Sequence, residues 1–272
     1  MDVTSRYDRI AIRWHDPEGP SAPRKIVEDY QRLGFALVRL RRGRNWSEKR
    51  AAWLAERLGL GSPFVPIQYA QRRSSFGLLG FNCIRFRSGG RHQGFESRGA
   101  QALHCDGTLE RIGAVPTSVL LCRSPGQRGG RTLVFDAAGA WASLSKMDPS
   151  AALALLDPRS LTRRDVGGTG RAVRGPAIAV VGQRVLSRFS VDNTSDWSSG
   201  LARVPNLSRG REAMLQLARD GSPHYLEVRL GAGDGIILAN DRVAHGRSSY
   251  SDSSQRRRVM LRGLFRARPK CG

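Results

Sequence analysis

The sequence predicts a mainly β fold with flanking helices, a sandwich or jelly roll, on three observations. Short apolar runs of strand length recur through the C-terminal two thirds, separated by glycine turns. Helical patterns gather at the N-terminal end and interrupt the strands only twice. The 272 residues are 40% hydrophobic with 31 Gly and 13 Pro, which suits one large β-rich domain with a real core.

In chain order, Arg24 to Leu33 reads as a helix stopped by Gly34. Phe35 to Leu40 reads as a strand. Ser47 caps a second helix running through Leu58 and closed by Gly59. Pro63 to Ser75 is expected to be irregular, Asn82 to Phe86 a short strand, and the Gly-, Arg- and Ser-rich stretch Ser88 to Ala100 a mobile loop. Ser118 to Cys122, Thr132 to Phe135, Tyr225 to Leu230, Ile236 to Asn240 and Arg258 to Phe265 are strand candidates. Ala177 to Val181, the turn Gly182-Gln183 and Arg184 to Leu186 form a hairpin pattern, and a turn opening on Gly suits type II′. Helices are expected at Ala138 to Lys146 and Ser208 to Arg219. No linker divides the chain, so residues 1–272 are expected to form one domain, with 1–80 as a helical and strand flank and 81–266 as the β core.

No run of 18 apolar residues is present, and Met1 to Asp16 has no apolar signal core, so neither membrane nor export is expected. Cys83, Cys105, Cys122 and Cys271 form no close-spaced pair, which points to reduced thiols and the cytoplasm. The net charge of +22 would attract anionic substrates, acidic carriers or nucleic acid. Its source, however, is 41 Arg against 4 Lys, spread along the chain rather than gathered in one arm. That skew fits codon bias better than a nucleic-acid face.

The chemistry is carried by His104-Cys105-Asp106. On a strand, residues i and i+2 share a face, so the imidazole and the carboxylate can reach one metal while Cys105 points away. A distant imidazole, His245, would complete a two-histidine, one-carboxylate set with open positions, as in non-heme Fe(II) oxygenases. The motif alone is weakly specific, but its context adds to it: Gly129-Gly130-Arg131-Thr132, then Asn240-Asp241-Arg242, His245-Gly246-Arg247, and a basic strand bearing Arg258 and Arg262. Period 2 places Arg256, Arg258, Met260 and Arg262 on one face of that strand, and Arg257, Val259 and Leu261 on the other. The Gly167-Gly168-Thr169-Gly170 run lacks the Lys-Ser/Thr ending of a phosphate loop and reads as a flexible loop.

With these residues, the chain from about Phe81 to Phe265 resembles the taurine dioxygenase and clavaminate synthase group of Fe(II)/2-oxoglutarate-dependent oxygenases. The resemblance implies a double-stranded β-helix (jelly roll) and the cofactors Fe(II), 2-oxoglutarate and O2. It implies iron on His104, Asp106 and His245. It also implies that the far carboxylate of 2-oxoglutarate lies on Arg258 and Thr132, with Arg262 as a second carboxylate contact. Many amino-acid hydroxylases of the group carry Glu as the metal carboxylate, where this chain has Asp106; retaining a carboxylate argues against halogenation. The implied reaction is hydroxylation of an amino acid, free, peptidyl or carrier-bound, in specialised metabolism. Desaturation, cyclisation or epoxidation with the same cofactors remains open, as does a basic RNA- or ribosome-associated protein. The polar stretch Arg188 to Trp197 supplies the substrate candidates Arg188, Asp192 and Asp196, with a surface Asx-turn loop as the alternative.

Overall fold

Two β-sheets face one another in the computed structural model, which describes residues 12–67, 69, 76–90, 92–166 and 169–271. The larger has six strands in the order β1 (Trp14–His15), β2 (Phe35–Arg39), β14 (Asp234–Ala239), β5 (Thr117–Ser124), β17 (Val259–Phe265) and β3 (Asn82–Arg85). The smaller has four, β13 (Tyr225–Val228), β7 (Thr132–Phe135), β15 (Ala244–Arg247) and β4 (Gln101–His104). Apart from the parallel β1–β2 pair, neighbouring strands are antiparallel. This is the jelly roll that the pattern of short strands predicts.

Strand alternation sorts the side chains into layers. Leu37, Leu120, Cys122, Ile236, Leu238 and Met260 of the large sheet meet Val134 and Val228 of the small one in the interior. The opposite face of the large sheet, with Val38, Val119, Leu121, Ile237 and Leu261, is covered by α1 (Ala22–Leu33) and α2 (Glu48–Arg57) through Ile26, Tyr30, Leu54 and Leu58. On the small sheet, the outward residues Leu103, Phe135 and Ala244 pack on α4 (Ala137–Met147), α5 (Pro149–Ala154) and α7 (Leu207–Leu217). Strand β2 of the N-terminal flank thus lies within the large sheet, its Leu37 opposite Ile236 of β14.

Local signals hold where they were chemically specific. Ser47 Oγ accepts from Arg50 N at the start of α2. Gly34 ends α1 at φ 86°, and a Cβ there would lie 2.6 Å from Val243 Cγ1, so both backbone and space require glycine. The hairpin of β10 (Ile178–Val181) and β11 (Arg184–Ser187) turns at Gly182 with φ 58° while Gln183 keeps negative φ, as type II′ requires.

Two expectations are corrected, and one segment shows strands that were not expected. The stretch Ser88 to Ala100 is not a loose loop: it holds a helical turn, α3 (Gln93–Glu96), with Phe95 in the core. Arg247 fastens it by donating to the carbonyls of Gly94, Ser97 and Gly99. The segment 157–222 carries strands that the apolar pattern did not announce, β12 (Ser195–Asp196), β8 (Leu161–Arg164) and β9 (Ala172–Gly175), in a three-stranded sheet, followed by α6 (Ser198–Leu201). And β4 stops at His104, so Asp106 lies just past the strand. A two-stranded ribbon, β6 (Arg128–Gly129) with β16 (Tyr250–Ser251), completes the set. Parts of four sequence expectations, at 1–11, at 68 and 70–75, at 91 and at Gly167-Gly168, lie outside the described residues. Among the described residues, no helix is long and apolar enough to cross a membrane.

Candidate active site

His104 and His245 are directly opposed on β4 and β15, with ring centroids 4.5 Å apart. Asp106 reaches the same point, and the three residues offer ligand atoms within 4.8 Å of one another, all of them buried. Asp106 is positioned by a clamp rather than by sheet pairing. Its N–H donates to Asn240 Oδ1 at 2.8 Å, and Asn240 Nδ2 donates in turn to the carbonyls of Asp106 and Val115. Cys105 points the other way, its Sγ among the carbonyls of Ser187, Phe189 and Val243, with burial pushing the thiol up to about 12. The i, i+2 alternation therefore survives the end of the strand.

The carboxylate of Asp106 is held from the large sheet. Ser118 Oγ donates to Oδ2 at 2.7 Å and Arg262 Nη1 to Oδ1 at 2.7 Å. Burial raises the carboxyl pKa, but the Arg262 guanidinium and the Ser118 hydrogen bond outweigh it, so the group sits well below the usual carboxylate range. Burial likewise pushes His245 down to about 3, so its ring is neutral and able to offer a lone pair. His104 Nδ1 lies 2.9 Å from the Ala102 carbonyl, which takes the ring proton there and leaves Nε2 as the free donor atom. Gln101 Nε2 sits 3.2 Å from that Nε2. The neutral His245 ring, the Nε2 of His104 and one ionised carboxylate fit Fe(II), and among the described residues the buried His245 Nδ1 and Arg262 Nε and Nη2 have no hydrogen-bond partner.

Behind this set lies a small cavity lined by Thr132 of β7, Leu120, and Arg258, Met260 and Arg262 of one β17 face. The period-2 reading holds for Arg258, Met260 and Arg262 across a register shift, because the extra residue is Arg123 on β5 and not a residue of β17; it does not extend to Arg256, which precedes the strand. Arg258 starts one residue before the strand and is buried, its guanidinium 5.2 Å from the Tyr250 ring. Among the described residues, no carboxylate and no carbonyl accepts from its side chain. Arg256 and Arg257 are exposed.

On the other side, the metal set opens toward a cleft that shares Gly94 and Gln101 with the cavity and is bordered by Tyr69, His92, Thr108, Asp192 and Asn193. Asp192 is there, with Oδ1 accepting from Thr194 and Ser195 in a turn of its own. Asp196 is not brought to the cleft: it pairs with Arg164 and caps Ser198. Arg188 turns under β9, donating to the Val173 carbonyl, and burial brings its pKa down to about 10.

Sequence reasoning missed Asn240, Ser118 and Gln101, which position the metal set, and Tyr69 and His92, which border the cleft. Apart from Asn240, in the Asn240-Asp241-Arg242 stretch already singled out, none of them lies within a motif. Only Asn240 had a signal, standing at the end of a strand five residues before His245.

A centre of two histidines and one carboxylate between the sheets of a jelly roll, backed by buried arginines, defines a non-heme oxygenase that uses Fe(II), 2-oxoglutarate and O2. Residues 11–264 match the taurine catabolism dioxygenase TauD, TfdA family, and the chain belongs to that family. It is 33% identical over 251 residues to a uridine-5′-phosphate dioxygenase of Amycolatopsis sp, covering 92% of this chain and 90% of that one. A uridine-5′-phosphate dioxygenase of Streptomyces sp is 32% identical over 275 residues, covering 98% of each. Among solved structures, asparagine oxygenase in complex with Fe(II), 2S,3S-3-hydroxyasparagine and succinate superposes with a TM-score of 0.65 at 17% identity, over 91% of this chain and 80% of its own. The non-heme iron oxygenase OrfP with Fe, succinate and (3S)-hydroxy-L-Arg gives 0.64 at 15% identity, over 90% and 81%. These two speak for the fold alone.

Proposed function

We propose that this enzyme oxygenates a nucleoside 5′-phosphate, with uridine 5′-monophosphate as the substrate to test first. The observation that carries the reading is the full-length likeness to two uridine-5′-phosphate dioxygenases at 33% and 32% identity. The amino-acid oxygenases share only 15–17%. The amino-acid substrate that the motifs first suggest thus gives way to a nucleotide. The whole chain acts as one oxygenase domain, and its four free cysteines suit the cytoplasm.

In this reading His104, Asp106 and His245 hold the iron, Arg258 and Thr132 hold the far carboxylate of 2-oxoglutarate, and Arg262 adds a second anion contact beside Asp106. When bound, iron and 2-oxoglutarate supply the oxidative decarboxylation that activates O2 and the oxidant that takes hydrogen from an unactivated carbon. The protein's part is positional. The Ala102 carbonyl fixes the proton on His104 Nδ1, Arg262 and Ser118 keep Asp106 ionised and aimed, and Leu120 and Met260 exclude water from the cavity. In the cleft, Tyr69 and His92 offer ring faces for a base, and Asp192 offers acceptors for ribose hydroxyls.

The test is succinate release by the Fe(II)-loaded enzyme with uridine 5′-monophosphate, uridine, asparagine and arginine, with product masses measured. Inorganic phosphate is followed alongside, because a hydroxyl placed on the carbon of the phosphate ester would expel it. Coupled turnover of the nucleotide, well above that of uridine and the amino acids, is expected. Coupled turnover of an amino acid with the nucleotide inert would overturn the reading.

A further inference from the structure

A second surface cleft touches the cosubstrate region from the far end of the barrel. It encloses about 750 Å³, within the range of roughly 300–1,000 Å³ of ligand clefts, and Arg85, Arg87, Arg98, Arg257 and Arg258 line it. Its lining contains one carboxylate, Asp252, and both oxygens of that group are engaged. Oδ2 accepts from Arg98 Nε at 3.0 Å and Oδ1 from the Arg258 N–H at 2.8 Å. Arg87 faces Glu96 at 3.6 Å. Among the described residues, the guanidinium groups of Arg85 and Arg257 have no acidic partner. Arg258 also lines the small cavity behind the metal set, so its side chain is the partition between cleft and cavity. Gly130 leaves room for that partition, since a Cβ there would lie 3.1 Å from Arg258 Nε.

We propose that this arginine-lined cleft is the entry and exit route of dicarboxylates, admitting 2-oxoglutarate and releasing succinate independently of the substrate cleft. Asp252 and Glu96 offset two of the five guanidinium groups, and the remaining three leave a concave surface whose positive potential concentrates a small dianion. Geometry agrees with the chemistry of binding. A molecule entering from this end passes its keto-acid end toward His104, Asp106 and His245, and its trailing carboxylate comes to rest on Arg258. The cleft bordered by Tyr69 and Asp192 stays free for the substrate, so a bound substrate does not block exchange of the cosubstrate behind it. The inference rests on the placement of the far carboxylate at Arg258. It does not rest on the identity of the substrate.

The experiment measures the association rate of 2-oxoglutarate with the anaerobic Fe(II) enzyme by stopped-flow, reading the iron-to-keto-acid charge-transfer absorbance in the absence of substrate. The variant is R85E/R257E. Its control, R203E/R219E, makes the same change in net charge at two exposed arginines flanking α7. We expect the association rate of R85E/R257E to fall roughly tenfold at low ionic strength, and the deficit to shrink as salt is added. The control should stay within about twofold of wild type, and iron affinity should be unchanged in both. The milder R85Q/R257Q, with an intermediate fall, serves if charge reversal impairs folding. An unchanged association rate in R85E/R257E or in R85Q/R257Q, or an equal fall in the control, would overturn the route. A misplaced far carboxylate is read separately, as an R258Q enzyme with wild-type equilibrium affinity for 2-oxoglutarate.

Discussion

Arg262 of the large sheet donates to Asp106, two residues past the end of β4 in the small sheet, with Nη1 2.7 Å from Oδ1 and both side chains about 95% buried. The pair bridges the two sheets at the metal set. Arg262 also lies over the Phe95 ring, 4.3 Å from its centroid, so the turn that Arg247 fastens helps to aim it. Removing one partner of a buried pair typically costs about 3–5 kcal/mol, because the other charge is left uncompensated. Arg262→Met should therefore lower the thermal stability of the metal-free enzyme by that order. A divalent ion supplies the missing positive charge, so adding Fe(II) or Mn(II) should recover much of the loss. Melting curves with and without metal decide this, and equal losses in both states would count against the clamp.

His104→Ala or His245→Ala should abolish turnover and metal binding while leaving the far-UV circular dichroism close to wild type. The sheets bury their apolar layers without the metal, so the fold does not depend on these rings. Near-normal turnover in either variant would move the metal elsewhere.

Arg258→Gln removes a charge-assisted contact worth about 1.5–3 kcal/mol. The concentration of 2-oxoglutarate needed for half-maximal turnover should rise about 10- to 100-fold. Arg256→Gln, at an exposed position two residues earlier, should change it little. A larger effect at Arg256 than at Arg258 would shift the anchor out of the cavity.

Gly246 stands between the sites it joins. A Cβ there would lie 2.6 Å from the Gln101 carbonyl, so Gly246→Ala must push β15 away from β4 and pull His245 off His104. We expect weaker iron binding together with a lower melting temperature, by isothermal titration and calorimetry. Stability lost with iron affinity intact would show that the strand relaxes elsewhere.

Asp192→Asn should raise the KM for the nucleotide and leave the substrate-independent decarboxylation of 2-oxoglutarate unchanged. The side chain borders the cleft of Tyr69 and His92 and does not line the cavity of Thr132 and Arg258. Both rates are measurable in one assay. A change in the decarboxylation alone would place the residue with the cosubstrate instead.

Where each residue's own chemistry dictates the backbone, the fold was legible in the sequence. The Ser47 cap, the Gly34 stop and the Gly182-Gln183 turn all depend on local geometry that one or two residue types satisfy. Apolar strands such as Thr132 to Phe135 were legible for the same reason, since alternation is a local property. The strands β8 and β9, with sequences Leu161-Thr162-Arg163-Arg164 and Ala172-Val173-Arg174-Gly175, show no such alternation. Their arginines find partners only after folding: Arg163 binds Thr194, Ser190 and the Cys105 carbonyl, and Arg164 binds Asp196. The turn at Gln93–Glu96 was illegible because three carbonyls of its stretch are held by Arg247, some 150 residues away.

By itself the sequence determined the β class, the histidines and carboxylate able to meet, and the strand face carrying Arg258 and Arg262, because periodicity and residue chemistry are local. Only the tertiary structure decided that Asn240 and Ser118 hold Asp106, that Asp196 is spent on Arg164 while Asp192 reaches the cleft, and that Arg258 stands between two cavities. Those are contacts between segments far apart in the chain, and a side chain's partner is fixed only when the sheets close on one another.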